Sequence, residues 1–347
     1  MDDTLQFGLV GCGRVAPRHV QSLRELEGAR LAAVADIKAS RAQRFANEYG
    51  AEPYTDYRDL LDRHDLDVIT ISTPSGLHAQ MAIDAMQAGK HVIVEKPMAL
   101  SLEDAGRMIA VSEATGRKLC VVLQNRYNPP MQELRAVVDS GRLGRLLLGN
   151  ATVRWYRPQE YYEDEWHGTW AMDGGALMNQ SIHHIDALQW LMGAPESVFA
   201  YSATLAHRME AEDIGVASIR FRSGALGAVE GSTVTYPENM EGSVAIFGEY
   251  GSLKVGGTAL NRKVIWKIRD ALEHEREAIV RDEVDPPSVY GQSHKAVTAD
   301  MIGAIREDRQ PQTHGREGRK SLALVLAMYE SARAGVPVSV AAGVWED

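Results

Sequence analysis

Cysteine is nearly absent: Cys12 and Cys120 are the two among 347 residues. They stand far apart in sequence and form no metal-ligand pattern, so both read as reduced thiols. A basic excess is missing as well. The chain carries 37 Lys+Arg against 47 Asp+Glu, a net charge of −10, which disfavours nucleic acid or an anionic membrane as the main partner. No apolar run approaches the ~20 residues that a membrane span needs. The first residues, Met1-Asp2-Asp3-Thr4, lack the basic start and apolar stretch of a signal peptide. A soluble, cytoplasmic protein is the expectation. There is also no internal repeat and no low-complexity linker.

What the chain does have is an ordinary globular composition, 45% hydrophobic and 24% charged. Its length suggests two domains. From residue 5 to about 124, short apolar runs (5–10, 30–35, 67–72, 91–94 and 118–123) alternate with helix-like runs (16–26, 40–49, 77–88 and 102–115). Ser101, with Asp104 three residues on, resembles a helix N-cap. Gly50, Gly89 and Gly116 each follow a helical run, where a left-handed residue is wanted. Strands separated by helices predict a doubly wound parallel sheet with right-handed crossovers. After residue 144 the runs 146–156, 198–204, 215–221, 225–235, 243–247 and 264–268 are strand-like and separated by turns. They predict a second α/β domain with a large, mostly antiparallel open sheet. Helices over 295–307 and 318–334 close the chain and could pack back on the first domain. The expected division is 1–124 and 125–347.

Gly11-Cys12-Gly13-Arg14-Val15-Ala16 follows the first strand and opens a helix, the context in which a glycine-rich turn binds a dinucleotide. Gly11 permits the tight turn, Gly13 lets the backbone approach a pyrophosphate, and the helix start offers free amides. Asp36 ends the second strand 25 residues beyond Gly11, close to the ~20-residue offset of a ribose-binding acid. It favours NAD over NADP, although Lys38 and Arg41 lie near enough to meet a phosphate. Ser72-Thr73-Pro74 ends the next strand and should cross the cofactor, since ligands lie over the carboxyl ends of such strands. His78, on the following helical turn, divides evenly between cofactor contact and an ordinary core or solvated histidine.

Glu95-Lys96-Pro97 ends the strand 91–94 at the same edge. A lysine there can donate to a substrate oxygen and stabilise its developing charge; the plain alternative is a surface lysine at a strand end. Proline after it can be cis. The segment Gly174–Asp186, read as one helix, puts Asn179, His183 and Asp186 at i, i+4 and i+7, a polar stripe suited to a general base. His183 and His184 diverge by about 100° on such a helix, so no metal is expected between them. Without Lys96, His183 would read as a structural histidine.

These residues, together with Tyr290-Gly291-Gln292-Ser293-His294, resemble the glucose–fructose oxidoreductase / inositol dehydrogenase / rhizopine catabolism family of sugar dehydrogenases. The resemblance covers essentially the whole chain. It implies a Rossmann domain, a second α/β domain whose open sheet makes dimer or tetramer contacts, and NAD as cofactor. It further implies that Lys96 contacts the reacting hydroxyl and that His183 is the catalytic histidine. Asn179 stands where many members carry Asp; an amide cannot serve as a base, so it would orient the substrate. The run Trp155–Tyr162 with Trp166 and Met178–Ser181 is similar to the UDP-N-acetylglucosaminuronate 3-dehydrogenase branch, which often has Arg where this chain has His167. Asn125, Trp166 and Glu95 join the cofactor candidates. Arg126, Arg154, Arg157, Tyr161 and His294 join the substrate candidates. The expected activity is NAD-dependent oxidation of a secondary hydroxyl of a sugar, sugar acid or UDP-sugar. Its rivals are an inositol or free-sugar dehydrogenase, an NAD-dependent glycoside hydrolase working through transient oxidation at C3, and a non-catalytic NAD-binding regulator.

Overall fold

A computed structural model describes residues 4–257, 259–270 and 293–346. The chain forms two compact units. The first comprises Met1–Gln124 with His294–Arg319, the second Asn125–Ser293 with Lys320–Asp347.

In the first unit six strands lie in the order β3-β2-β1-β4-β5-β6, and every neighbouring pair is parallel. They are β1 (Leu5–Val10), β2 (Ala29–Ala35), β3 (Glu52–Tyr54), β4 (Val68–Ile71), β5 (His91–Val94) and β6 (Leu119–Val121). All four residues of β4, Val-Ile-Thr-Ile, are buried. Such β-branched runs suit a strand covered on both faces. The covering helices are α1 (Ala16–Arg24), α2 (Ala39–Tyr49), α3 (Tyr57–Leu61), α4 (His78–Gln87) and α5 (Leu102–Thr115). Ser101 caps α5 by accepting the Asp104 N–H at 3.1 Å. Gly50 and Gly116 close α2 and α5 with φ of 71° and 67°, as a left-handed cap requires. The short β3 and α3 carry no periodic signal and escape sequence reasoning. Further along the chain, α8 (His294–Arg306) packs against α1. Thr313 then accepts the Val121 N–H at 2.8 Å, which covers the β6 edge.

In the second unit eight strands lie in the order β13-β12-β11-β7-β10-β9-β8-β14. They are β7 (Leu146–Arg154), β8 (Pro195–Ala203), β9 (Ile214–Phe221), β10 (Leu226–Ser232), β11 (Glu241–Gly248), β12 (Gly251–Gly256), β13 (Arg262–Ile268) and β14 (Val338–Ser339). β7 and β10 are parallel and the other pairs antiparallel. Among the described residues, this unit contains the helices α6 (Pro129–Asp139) and α7 (Ile182–Met192). The last long helix, α9, runs from Gly315 to Ala334. Strict alternation in β9, with Gly215, Ala217, Ile219 and Phe221 buried and Val216, Ser218 and Arg220 exposed, separates a covered face from an open one. α7 lies on the covered face. A Cβ at Gly149 of β7 would meet Leu188 and Met192 at 2.8 Å. Among the described residues, no helix is long and apolar enough to cross a membrane.

Candidate active site

The glycine turn is closed by Asp36. One carboxylate oxygen accepts the Cys12 N–H at 2.9 Å and the other accepts the Lys38 N–H at 2.8 Å. Both oxygens keep a further lone pair for a ribose hydroxyl. Gly11 has φ 93°, and a Cβ there would lie 2.6 Å from the Ser72 carbonyl oxygen, so only glycine fits. At Gly13 a Cβ would meet nothing within 4 Å. That open space, beside the start of α1, fits a pyrophosphate. Ser72 Oγ donates to the Gly11 carbonyl at 2.7 Å and holds the two loops together. Arg14 is exposed, and Val15 is half-buried. Cys12 is buried, and burial followed by the Asp36 charge pushes its thiol up to about 12, which leaves it inert.

His78 is buried, with Nδ1 2.8 Å from the Pro97 carbonyl and Nε2 2.9 Å from the Thr73 carbonyl. Burial pushes it below the usual histidine range. A neutral ring has one N–H and donates to one of these carbonyls, but both nitrogens sit against backbone, so it packs between the Ser72–Pro74 loop and the residues after Lys96 instead of meeting the cofactor through a ring nitrogen.

Glu95 is buried beneath Lys96. Its Oε1 lies 2.8 Å from His19 Nε2 and 3.6 Å from His294 Nε2, and its Oε2 accepts the Lys96 N–H at 3.3 Å. Burial alone would raise this carboxyl. The hydrogen bond with His19 and the nearby His294 ring reverse that and hold it well below the usual carboxylate range. The carboxylate therefore joins the cofactor helix α1, the end of β5 and the start of α8. His294 becomes part of this internal anchor, a correction to its expected place against substrate. The three ligand atoms lie within 4.8 Å of one another, a spacing that could hold a divalent cation. The 2.8 Å contact, however, has the length of a direct hydrogen bond. Lys96 itself is half-buried and precedes a cis peptide to Pro97.

The segment expected as one helix is two pieces. Ala176–Gln180 forms a single wide turn, in which the Ser181 N–H reaches the Ala176 carbonyl at 2.8 Å, and α7 starts at Ile182. The i, i+4, i+7 stripe is thereby interrupted. Asp186 belongs to a different partnership, a buried bidentate pair with Arg126 whose two contacts are both 2.7 Å. Arg126 is 1% exposed, a core ion pair and not a substrate ligand. Asn179 Nδ2 donates to Asp173 at 2.6 Å; sequence reasoning missed that acid. His184 is buried edge-on against Trp155 at 5.8 Å, and burial pushes it down to about 4. It is neutral at pH 7 and part of the core. His183, 9% exposed, is the neighbour with some access to solvent.

Of the other predicted arginines, Arg154 is neutralised by Glu230 at 2.6 and 2.7 Å and by Glu241 at 3.0 Å. This removes it as a cation for substrate. Arg157 has no acidic partner among the described residues. Its guanidinium lies 5.2 Å from the Trp155 ring and 5.5 Å from Tyr161, and it donates to the Tyr156 carbonyl and Asn239. Tyr161 packs on His167 at 4.2 Å, and His167 stacks on Trp166 at 3.6 Å. Asp164 fixes the His167 ring at 2.5 Å. Asn125 is buried, and its Oδ1 has no hydrogen-bond partner among the described residues, which leaves it available to a bound group. Of the tail motif, Tyr290–Gln292 lie outside the described residues.

A doubly wound sheet with a glycine turn opening its first helix, an acid after its second strand and a lysine at a strand's carboxyl end has the features of a dinucleotide-dependent oxidoreductase. The chain belongs to the GFO/IDH/MocA oxidoreductase family. Residues 5–123 match its NAD-binding Rossmann-fold model, and residues 131–254 match its carboxyl-terminal domain. NAD is its cofactor. The chain is 43% identical to the WlbA dehydrogenase of Bordetella pertussis, solved with NADH and UDP-GlcNAcA. That match covers 98% of this chain and 99% of the other, with a TM-score of 0.92. The WlbA dehydrogenase of Chromobacterium violaceum, solved with the same two ligands, is 41% identical over 99% and 97% of the chains, with a TM-score of 0.91. The myo-inositol 2-dehydrogenase of Thermotoga maritima is 26% identical over 72% of this chain and 74% of its own length.

Proposed function

We propose that the protein is a dehydrogenase of a nucleotide-linked sugar acid, with UDP-N-acetylglucosaminuronate as the substrate of choice. The observation that carries the reading is Lys96, held at the end of β5 by the buried Glu95 anchor in the unit that binds NAD. Similarity above 40% to two dehydrogenases solved with UDP-GlcNAcA supports the substrate class. Arg157, without an acidic partner among the described residues and framed by Trp155 and Tyr161, supplies a cation for a carboxylate or diphosphate.

Gly11, Gly13, Asp36 and the Ser72–Pro74 loop would hold the dinucleotide. Bound NAD would supply the hydride acceptor. Lys96 donates a hydrogen bond to the oxygen of the reacting hydroxyl and stabilises the charge that develops there. His183 takes the hydroxyl proton. Asn179, its amide fixed by Asp173, orients the sugar. The open face of the second sheet, with Phe199, Tyr201 and Val216 beside the Arg154–Glu230 pair, is assigned to a second copy of this chain, as a dimer or tetramer contact.

A panel of free sugars, inositols, sugar acids and UDP-sugars, followed by NADH formation at 340 nm and by mass spectrometry of retained cofactor, tests the reading. The UDP-linked sugar acid is expected to give the highest kcat/KM. Preference for an inositol, release of a glycosidic leaving group without net NADH, or turnover of none of them would overturn it.

A further inference from the structure

Glu212 lies just before β9 and is 3% exposed. Its Oε1 accepts the Leu177 N–H at 2.8 Å and the Tyr329 O–H at 2.9 Å. Its backbone carbonyl accepts the Ala176 N–H at 2.9 Å. Tyr329, on α9, also accepts the Gly175 N–H at 3.3 Å. Three consecutive amides, at 175, 176 and 177, are thus tied directly or through Tyr329 to one acidic residue. Glu212 Oε2 has no hydrogen-bond partner among the described residues, and it lies 2.0 Å from where a Cβ at Gly175 would stand. Gly175 is a glycine because the Glu212 carboxyl takes up its side-chain space. These tied amides open the wide turn that carries Asn179, and that turn leads into α7 and His183.

We propose that Glu212, held as a neutral carboxylic acid, is the positioning residue that sets Asn179 and His183 through the Gly175–Leu177 amides, and that its ionisation releases them. This rests on the reading of His183 as the base. Keeping the carboxyl neutral avoids the larger cost of burying a charge whose Oε2 has no hydrogen-bond donor among the described residues, the two donors on Oε1 offsetting that charge only in part. Among the described residues, the ionisable groups that act on it are the Tyr329 phenol, by hydrogen bond, and the Asp173 carboxyl, by its charge. Burial, and then the Asp173 charge, push the Glu212 carboxyl up to about 7, against the pull of its amide and phenol donors. The acid therefore ionises within the working pH range, and the segment should loosen on the alkaline side.

Hydrogen–deuterium exchange of peptides spanning 174–186, corrected for the intrinsic pH dependence, is compared between pH 6 and 8.5 for the wild-type protein, Glu212→Gln and Glu212→Ala. Turnover of UDP-N-acetylglucosaminuronate is followed at the same pH values. Wild-type exchange is expected to rise with pH. Its kcat should fall by about tenfold per pH unit above the titration if only the neutral form is competent. Glu212→Gln, which keeps both acceptor contacts and cannot ionise, should lose both alkaline changes. Glu212→Ala should exchange fast and turn over slowly at every pH, with NAD affinity unchanged. Identical exchange profiles for the wild type and Glu212→Gln would overturn the proposal, even if Glu212→Ala fails to fold. If exchange behaves as expected but no variant oxidises the UDP-sugar, the anchor stands and the assigned substrate or base has failed.

Discussion

At the scale of single residues, the site depends on which of two similar side chains is committed elsewhere. Asp36 already accepts two backbone amides, so Asp36→Ala should disturb the glycine turn as well as the ribose contact. Calorimetry should show weaker NAD binding and a narrower preference over NADP; equal wild-type affinity for both dinucleotides would refute the assignment. Lys96→Ala should leave NAD affinity nearly intact and remove most oxidation, and full activity would reduce Lys96 to a strand-end lysine. The two adjacent histidines make the sharpest contrast. His183→Asn should cost about 10²–10⁴-fold in kcat and remove the acidic limb of the pH–rate profile. His184→Asn should instead lower stability by about 1–3 kcal/mol, because a buried ring against Trp155 is replaced by an amide without partners. A large kcat loss in His184→Asn with His183→Asn tolerated would reverse the roles.

At the scale of elements, one buried carboxylate joins three of them in the first unit. The free energy Glu95 contributes depends on its being ionised. Its folded value is depressed, so the contribution is present above the ordinary carboxyl value of 4.5 and is lost as the pH falls below that value. Glu95→Gln should therefore be less stable than wild type by about 1–3 kcal/mol at pH 7. In urea titrations that gap should close as the pH falls below 4.5. A gap that stays constant down to pH 3 would mean that His19 and His294 do not hold the carboxylate.

At the scale of the whole molecule, the second sheet has one face covered by α7 and one left open. Tyr201 is 64% exposed and Val216 43% exposed on the open side, apolar side chains that a second copy of the chain would cover. Val216→Glu should shift the protein to monomers in light scattering without changing its helix content. A wild-type protein that is already monomeric at working concentration would remove the assignment of this face.

The local signals were strong where a pattern repeats along the chain. Period-two alternation, apolar β-branched runs and glycine stops set out most of both sheets, and the spacing from Gly11 to Asp36 and the Glu95-Lys96-Pro97 run singled out the candidate cofactor turn and lysine. Those features depend on neighbours in sequence, so sequence by itself determined them. Partnership across long separations left no such trace. Arg126, Arg154 and Arg157 look alike as residues, yet Asp186 and Glu230 neutralise the first two from 60 and 76 positions away. His294 meets Glu95 from the far end of the chain, and Glu212 anchors Leu177 from 35 residues on. The single helix expected over 174–186 failed for the same reason. Hydrogen bonds from Glu212 and packing of Gly175 against its carboxyl outweigh local helical propensity there, and such contacts exist only once distant segments have been brought together.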